Sequence, residues 1–185
     1  MSTRELSEFF ALPPEDVGIE AIQRFSAVKR WHMVETSKSQ SLAEHSAIVA
    51  MLAYYIAHTA PGMFFGPGTG VLLPALTHDL VEVFTGDIVP MTKGRIQGLR
   101  NLEFALDPVL FSSPADHRVM DLIKLCDLGE GIRFITLHGV GTTVPQWARH
   151  GLLSQHNTLV SRVSKEWPAD VLSHYLGIHY KYVST

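Results

Sequence analysis

Apolar residues recur at helical spacing along almost the whole of this chain, and no long segment shows the polar/apolar alternation of a half-buried strand. Such a chain buries its apolar surface by packing helix on helix, so the pattern predicts an all-α, compact multi-helix bundle. Its 185 residues hold no internal repeat, low-complexity tract or long linker, which predicts one domain over residues 1–185. With 46% hydrophobic and 18% charged residues, intrinsic disorder is excluded. The longest unbroken apolar run, Ala47 to Ala57, is well short of the ~20 residues that cross a bilayer, so no membrane partner is expected. Met1 to Glu5 mixes charges and lacks a secretory signal pattern, and the single Cys126 permits neither an internal disulfide nor a cysteine-rich zinc module. A cytoplasmic location is the expectation. A net charge of −3 argues against duplex nucleic acid as partner, because that role needs a basic face.

Punctuation divides the chain further. A short helix around Leu6, Phe9 and Phe10 should close at Pro13-Pro14, and a second should run from Val17 to Ser26 with Ile19, Ile22 and Phe25 on one stripe. Ser41 and Glu44 form an S-x-x-E capping box, predicting a strong helix from there to near Pro61-Gly62. Further helices are predicted for 71–84, 97–106, 117–137, 145–167 and 169–180, with Pro74 tolerated in a first turn.

Three of these apolar helices carry polar groups where an unpaired charge is costly. They are His45, the adjacent pair His78-Asp79, and Asp127 in Ile123-Lys124-Leu125-Cys126-Asp127-Leu128. Two imidazoles and two carboxylates suit a divalent ion such as Mn, Co, Fe, Ni or Zn and admit Mg weakly. Glu82 follows His78 by four residues and Lys124 precedes Asp127 by three, so helical spacing sets a carboxylate and a cation beside the same place. A buried His next to Asp is also an ordinary hydrogen-bonded core pair, and spacing alone leaves both readings open. Neither H-E-x-x-H, a phosphate-binding G-x-x-x-x-G-K-[ST] loop nor a G-x-S-x-G elbow is present, and Cys126 sits in an apolar run where thiols are inert.

The order His45, His78-Asp79, Asp127 resembles the H…HD…D signature of HD-domain metal-dependent phosphohydrolases. The flanking residues Arg30-Trp31, Ala43-Glu44-His45-Ser46, the run His78 to Asp87, Lys93 and Lys124 to Asp127 resemble bacterial 5′-deoxynucleotidases and phage dATP triphosphohydrolases. The likeness spans about Phe25 to Gly131.

The resemblance implies that His45, His78, Asp79 and Asp127 hold a divalent ion (Co, Mn, Zn or Mg). It implies that Glu82 orients or deprotonates the attacking water, and that Asp87 holds the sugar 3′-hydroxyl or assists proton transfer. Arg30, Lys93 and Lys124 would contact phosphate oxygens. Trp31 would pack on the deoxyribose or base, with Met33 as a wall of the base pocket. The implied reaction is attack of activated water at the α-phosphorus of a small-molecule deoxynucleotide. The short segment from Asp87 to Asp127 favours dATP, cleaved to deoxyadenosine and triphosphate, over a 5′-deoxynucleotidase acting on dNMPs. A non-catalytic nucleotide-binding helical module is the alternative from another class, but it would be expected to lose a ligand or Glu82. Relatives of this kind assemble as homo-oligomers, dimer or hexamer, for which exposed apolar groups near Trp147 or Tyr175 are the expected contacts; a phage enzyme would work in its host's cytoplasm.

Overall fold

A computed structural model of the chain describes residues 17–60, 62, 70–88 and 116–184. Among these it has seven helices and no strand: α1 Val17–Arg24, α2 Leu42–Thr59, α3 Leu72–Thr77, α4 Glu82–Thr85, α5 His117–His138, α6 Thr143–Val163 and α7 Ala169–Ser184. The all-α expectation holds. The helices expected around Phe9 and over 97–106 lie outside the described residues.

Helix α5 is the axis of the assembly. Of its residues from Asp121 to Ile135, all but Lys124 and Arg133 are buried, so the helix has no broad solvent face and must be covered on most sides. Val49, Ala53 and Ile56 of α2, Leu122 and Leu125 of α5, and Val171 and Tyr175 of α7 share one core cluster. Each large aliphatic side chain buried here contributes roughly 1.5–3 kcal/mol. Because α5 is enclosed, Asp127 and Glu130 are carried into the interior with it.

The capping box forms as the sequence predicts. The Ser41 hydroxyl accepts from the Glu44 N–H at 3.1 Å, and Glu44 Oε2 accepts from the Ser41 N–H at 2.7 Å, fixing where α2 begins and therefore which way His45 points. Three expectations need correction. The predicted 71–84 helix is two short helices, because Leu80, Glu82, Val83 and Phe84 N–H groups bond carbonyls three residues back rather than four. In α1, Ile19 and Ile22 are exposed, and it is Ala21 and Phe25 that join the cluster with Leu42, Leu80 and Val83. Tyr175 is only 1% exposed, whereas Trp147 is 54% exposed, so Tyr175 is core and offers no surface contact. No helix among the described residues is long and apolar enough to cross a membrane.

Behind α5, His156 and His179 stack with ring centroids 4.0 Å apart, and the Tyr175 hydroxyl bonds His156 Nε2 at 2.7 Å. Burial, then the neighbouring His156, pushes His179 down to about 4, and burial lowers His156 as well. The unfolded chain therefore takes up these protons first. Stability is full above the ordinary histidine value of 6.5 and is lost as pH falls toward about 4. The Tm of the wild-type protein should drop by about 4 °C more than that of His179→Asn across this window, as read by calorimetry. Parallel curves would refute the assignment.

Candidate metal centre

Four ligand atoms, one each from His45, His78, Asp79 and Asp127, lie within 4.8 Å of one another. His45 comes from α2, Asp127 from α5, and His78-Asp79 from the turn after α3. On a regular α-helix successive side chains splay by about 100°. The tighter turn from residue 78 onward brings His78 Nε2 and Asp79 Oδ2 to 3.3 Å, and His78 Nδ1 is tied to the Ala75 carbonyl at 2.8 Å. That bond leaves Nε2 to face the centre.

His45 Nε2 lies 3.2 Å from Asp127 Oδ1 and 3.7 Å from Asp79 Oδ2, and His78 Nε2 lies 3.9 Å from the same Asp127 oxygen. Both Nε2 atoms are buried and neither has hydrogen-bond geometry to any described group. Two buried imidazole nitrogens without a hydrogen bond to a described residue, aimed at two carboxylates, fit a divalent cation.

The electrostatics agree. Burial works against a charge on His78, yet Asp79 and Asp127 raise it to about 10, which measures how strongly this place favours positive charge. Burial would likewise raise Asp127, but Lys124, His45 and His78 hold its carboxyl well below the usual range. Lys124 Nζ reaches Asp127 Oδ2 at 2.5 Å while remaining half exposed, so the cation stands at the rim. Glu82 is buried one turn beyond His78 and is not among the four clustered residues.

Arg30 and Trp31 arrive on a segment pinned at both ends. Arg30 N–H bonds the Gln40 carbonyl, Leu42 N–H the Val28 carbonyl, and Ser37 and Val140 tie the segment to the end of α5. Arg30 is no free surface cation. Burial opposes its charge, but Asp127, Asp79, Glu130 and Asp87 raise its pKa; its Nη1 lies 3.3 Å from Glu130 and its Nη2 3.9 Å from Asp127. The buried Nε makes no hydrogen bond to a described residue.

Trp31 has φ +67°, a left-handed conformation that costs a non-glycine residue about 1–3 kcal/mol. Its N–H donates to Asp87 Oδ2 at 2.8 Å, its indole N–H to Gln40 Oε1 at 3.0 Å, and its ring stacks on Phe134 at 5.8 Å and 5°. Strain held in place this firmly positions the ring. Met33 is 67% exposed, and Lys93 lies outside the described residues.

Sequence reasoning passed over Glu130, which is 3% exposed and within 2.5 Å of His45 Nδ1, and over Gln40, which donates to Glu130 at 2.6 Å. A signal was present: Glu130 follows Asp127 by three residues on an apolar helix, between Gly129 and Gly131. Gly131 matters here, since a Cβ would lie 3.6 Å from the Trp31 ring and 3.3 Å from Leu152.

Comparison with known proteins finds relatives among nucleotide hydrolases. The family described as 5′-deoxynucleotidase YfbR-like matches residues 19–109. A dATP triphosphohydrolase of Acinetobacter phage SH-Ab 15497 is 30% identical, covering 84% of this chain and 85% of the relative. A dATP triphosphohydrolase of Salmonella phage PMBT28 is 33% identical over 65% of this chain and 66% of its own length. A 5′-deoxynucleotidase of Vibrio cholerae is 28% identical over 55% and 51%. Among solved structures, the cyanophage S-2L HD phosphohydrolase DatZ, bound to dA and one catalytic Zn2+ ion, superposes with TM-score 0.67 over 90% of this chain and 95% of that one, at 23% identity. That likeness is one of fold.

Proposed function

Since the chain belongs to the YfbR-like 5′-deoxynucleotidase family of HD-type hydrolases, we propose that it hydrolyses a 2′-deoxynucleotide at the α-phosphorus, taking dATP to deoxyadenosine and triphosphate. The observation that carries the reading is the cluster of four ligand atoms within 4.8 Å, with neither imidazole Nε2 hydrogen-bonded to a described residue. His45, His78, Asp79 and Asp127 would hold the divalent ion. When bound, such an ion supplies Lewis acidity, lowering the pKa of water and neutralising charge on phosphoryl oxygen.

The chain's own residues do the rest. Buried Glu82 takes the proton from the attacking water as oxygen bonds to the α-phosphorus; the P–O5′ bond breaks, and O5′ leaves as the nucleoside hydroxyl with a proton from solvent water, Glu82 later returning its own to solvent. Lys124 at the rim and the Nε of Arg30 offer cationic donors to the phosphate oxygens. Lys93 is assigned to the same phosphate contact. Asp87 Oδ2 is occupied by the Trp31 N–H, so the proposed bond to the sugar 3′-hydroxyl falls to Oδ1. Trp31, fixed on Phe134, is the surface for deoxyribose or base, with Met33 at its edge.

The triphosphohydrolase reading is favoured over a 5′-deoxynucleotidase because the likeness to the Acinetobacter phage enzyme runs through 85% of that protein, against 51% for the Vibrio cholerae 5′-deoxynucleotidase. We also assign the chain a single domain, a cytoplasmic setting without duplex nucleic acid, and association into a homo-oligomer, dimer or hexamer, in which exposed Trp147 is a contact. Purified protein with Mn2+ or Co2+ should release triphosphate from dATP, and far less product from ATP or dAMP, by ion-exchange chromatography. Cleavage of monophosphates alone would move the assignment to the nucleotidases.

A further inference from the structure

Resting on the metal reading above, we infer that Glu130 is a positioning residue that fixes the tautomer of His45, and that Gln40 holds Glu130 in the orientation this requires. An indole N–H can only donate, so the Trp31 bond at 3.0 Å assigns Gln40 Oε1 to that side and Gln40 Nε2 to the other. Gln40 Nε2 donates to Glu130 Oε1 at 2.6 Å, leaving Oε2 for His45 Nδ1 at 2.5 Å and for Arg30 Nη1 at 3.3 Å. A carboxylate only accepts, so the His45 proton sits on Nδ1. Its Nε2 lone pair then points toward Asp79 and Asp127. A carboxylate behind a ligating imidazole sets its tautomer and raises its basicity. The chain Trp31–Gln40–Glu130–His45 is buried from Gln40 inward, so water does not replace its members.

The donor pattern makes a sharp test. In Glu130→Gln, the Gln40 amide, donating at 2.6 Å against the longer 3.3 Å Arg30 contact, draws the new amide oxygen to its side, which turns the new NH2 toward His45 Nδ1. The proton then moves to Nε2, where it points into the metal centre. Adding Gln40→Glu reverses the demand: residue 40 now only accepts, residue 130 turns its NH2 toward it, and its oxygen again faces Nδ1.

The measurements are the protonated nitrogen of His45 by 15N NMR in metal-free protein, and Mn2+ affinity by titration calorimetry. Wild type should carry the proton on Nδ1. E130Q should carry it on Nε2 with Mn2+ bound about 10–100-fold more weakly, and Q40E/E130Q should return both readouts toward wild type. A merely structural Glu130 would not be rescued by moving the carboxylate to position 40.

An E130Q protein with unchanged tautomer and affinity overturns the inference, as does a folded double variant that stays weak. If E130Q does not fold, the double variant decides alone by the same criterion. Wild type that takes up no Mn2+ overturns the function proposed above, and the NMR comparison then judges Glu130 by itself.

Discussion

Asp127→Ala is expected to remove both Mn2+ retention and turnover, with metal affinity down at least ~100-fold and kcat for dATP down at least ~1000-fold. Asp127 is where four nitrogen-bearing side chains meet: His45, His78, Lys124 and Arg30 all approach its two oxygens. Loss of the carboxylate leaves Asp79 as the one acidic member of the four-residue cluster and releases Lys124 from its 2.5 Å contact. The fold should survive. The Asp127 carboxyl is buried only by virtue of its partners, and alanine leaves the α5 backbone and the core cluster on its apolar sides untouched. Elemental analysis after desalting, circular dichroism and a triphosphate assay separate the two effects. A folded variant that keeps its ion and its rate would show that the four residues are a hydrogen-bonded core cluster and not a ligand set.

The four clustered residues stood out in the sequence because each is a polar group in a stretch predicted to be apolar helix, where it needs a partner or an ion, while their reading as a ligand set came from the family resemblance. The start of α2 was equally legible, since a capping box is local chemistry and needs no tertiary partner. The break after His78 was not. Thr77, Asp79, Val81 and Val83 are only mildly poor helix formers, too weak a signal to place a break, and the turn sets Leu80 and Val83 in the cluster with Ala21 and Leu42, residues 38 or more positions away. The same limit hid the working environment of Arg30 and Trp31. Sequence offers a cation beside an aromatic; the interior carboxylates at Asp127 and Glu130 that engage Arg30, and the Asp87 contact that holds Trp31 at positive φ, come from residues 56 to 100 positions distant. Glu130 itself was readable as a stranded carboxylate, but its partner atom on His45 depends on how α2 and α5 face each other.

Glu82→Gln, unlike Asp127→Ala, should separate metal binding from chemistry. Glu82 is 2% exposed and begins α4, immediately after the turn that carries His78 and Asp79, yet it stands outside the four clustered residues. Glutamine keeps the buried volume and the ability to accept a hydrogen bond, so no cavity opens and the turn should hold. What glutamine lacks is a site for the proton that water gives up as its oxygen bonds to phosphorus. General-base removal of this kind is worth about 10²–10⁴ in rate, and that is the expected fall in kcat for dATP, with KM changing little because the phosphate and sugar contacts proposed above fall to Arg30, Lys124, Asp87 and Trp31. Mn2+ affinity should stay near wild type, which distinguishes this variant from Asp127→Ala. Steady-state kinetics paired with metal titration reads both quantities, and an unchanged kcat with intact metal binding would move the proton-accepting role away from Glu82 to another buried carboxylate of the site.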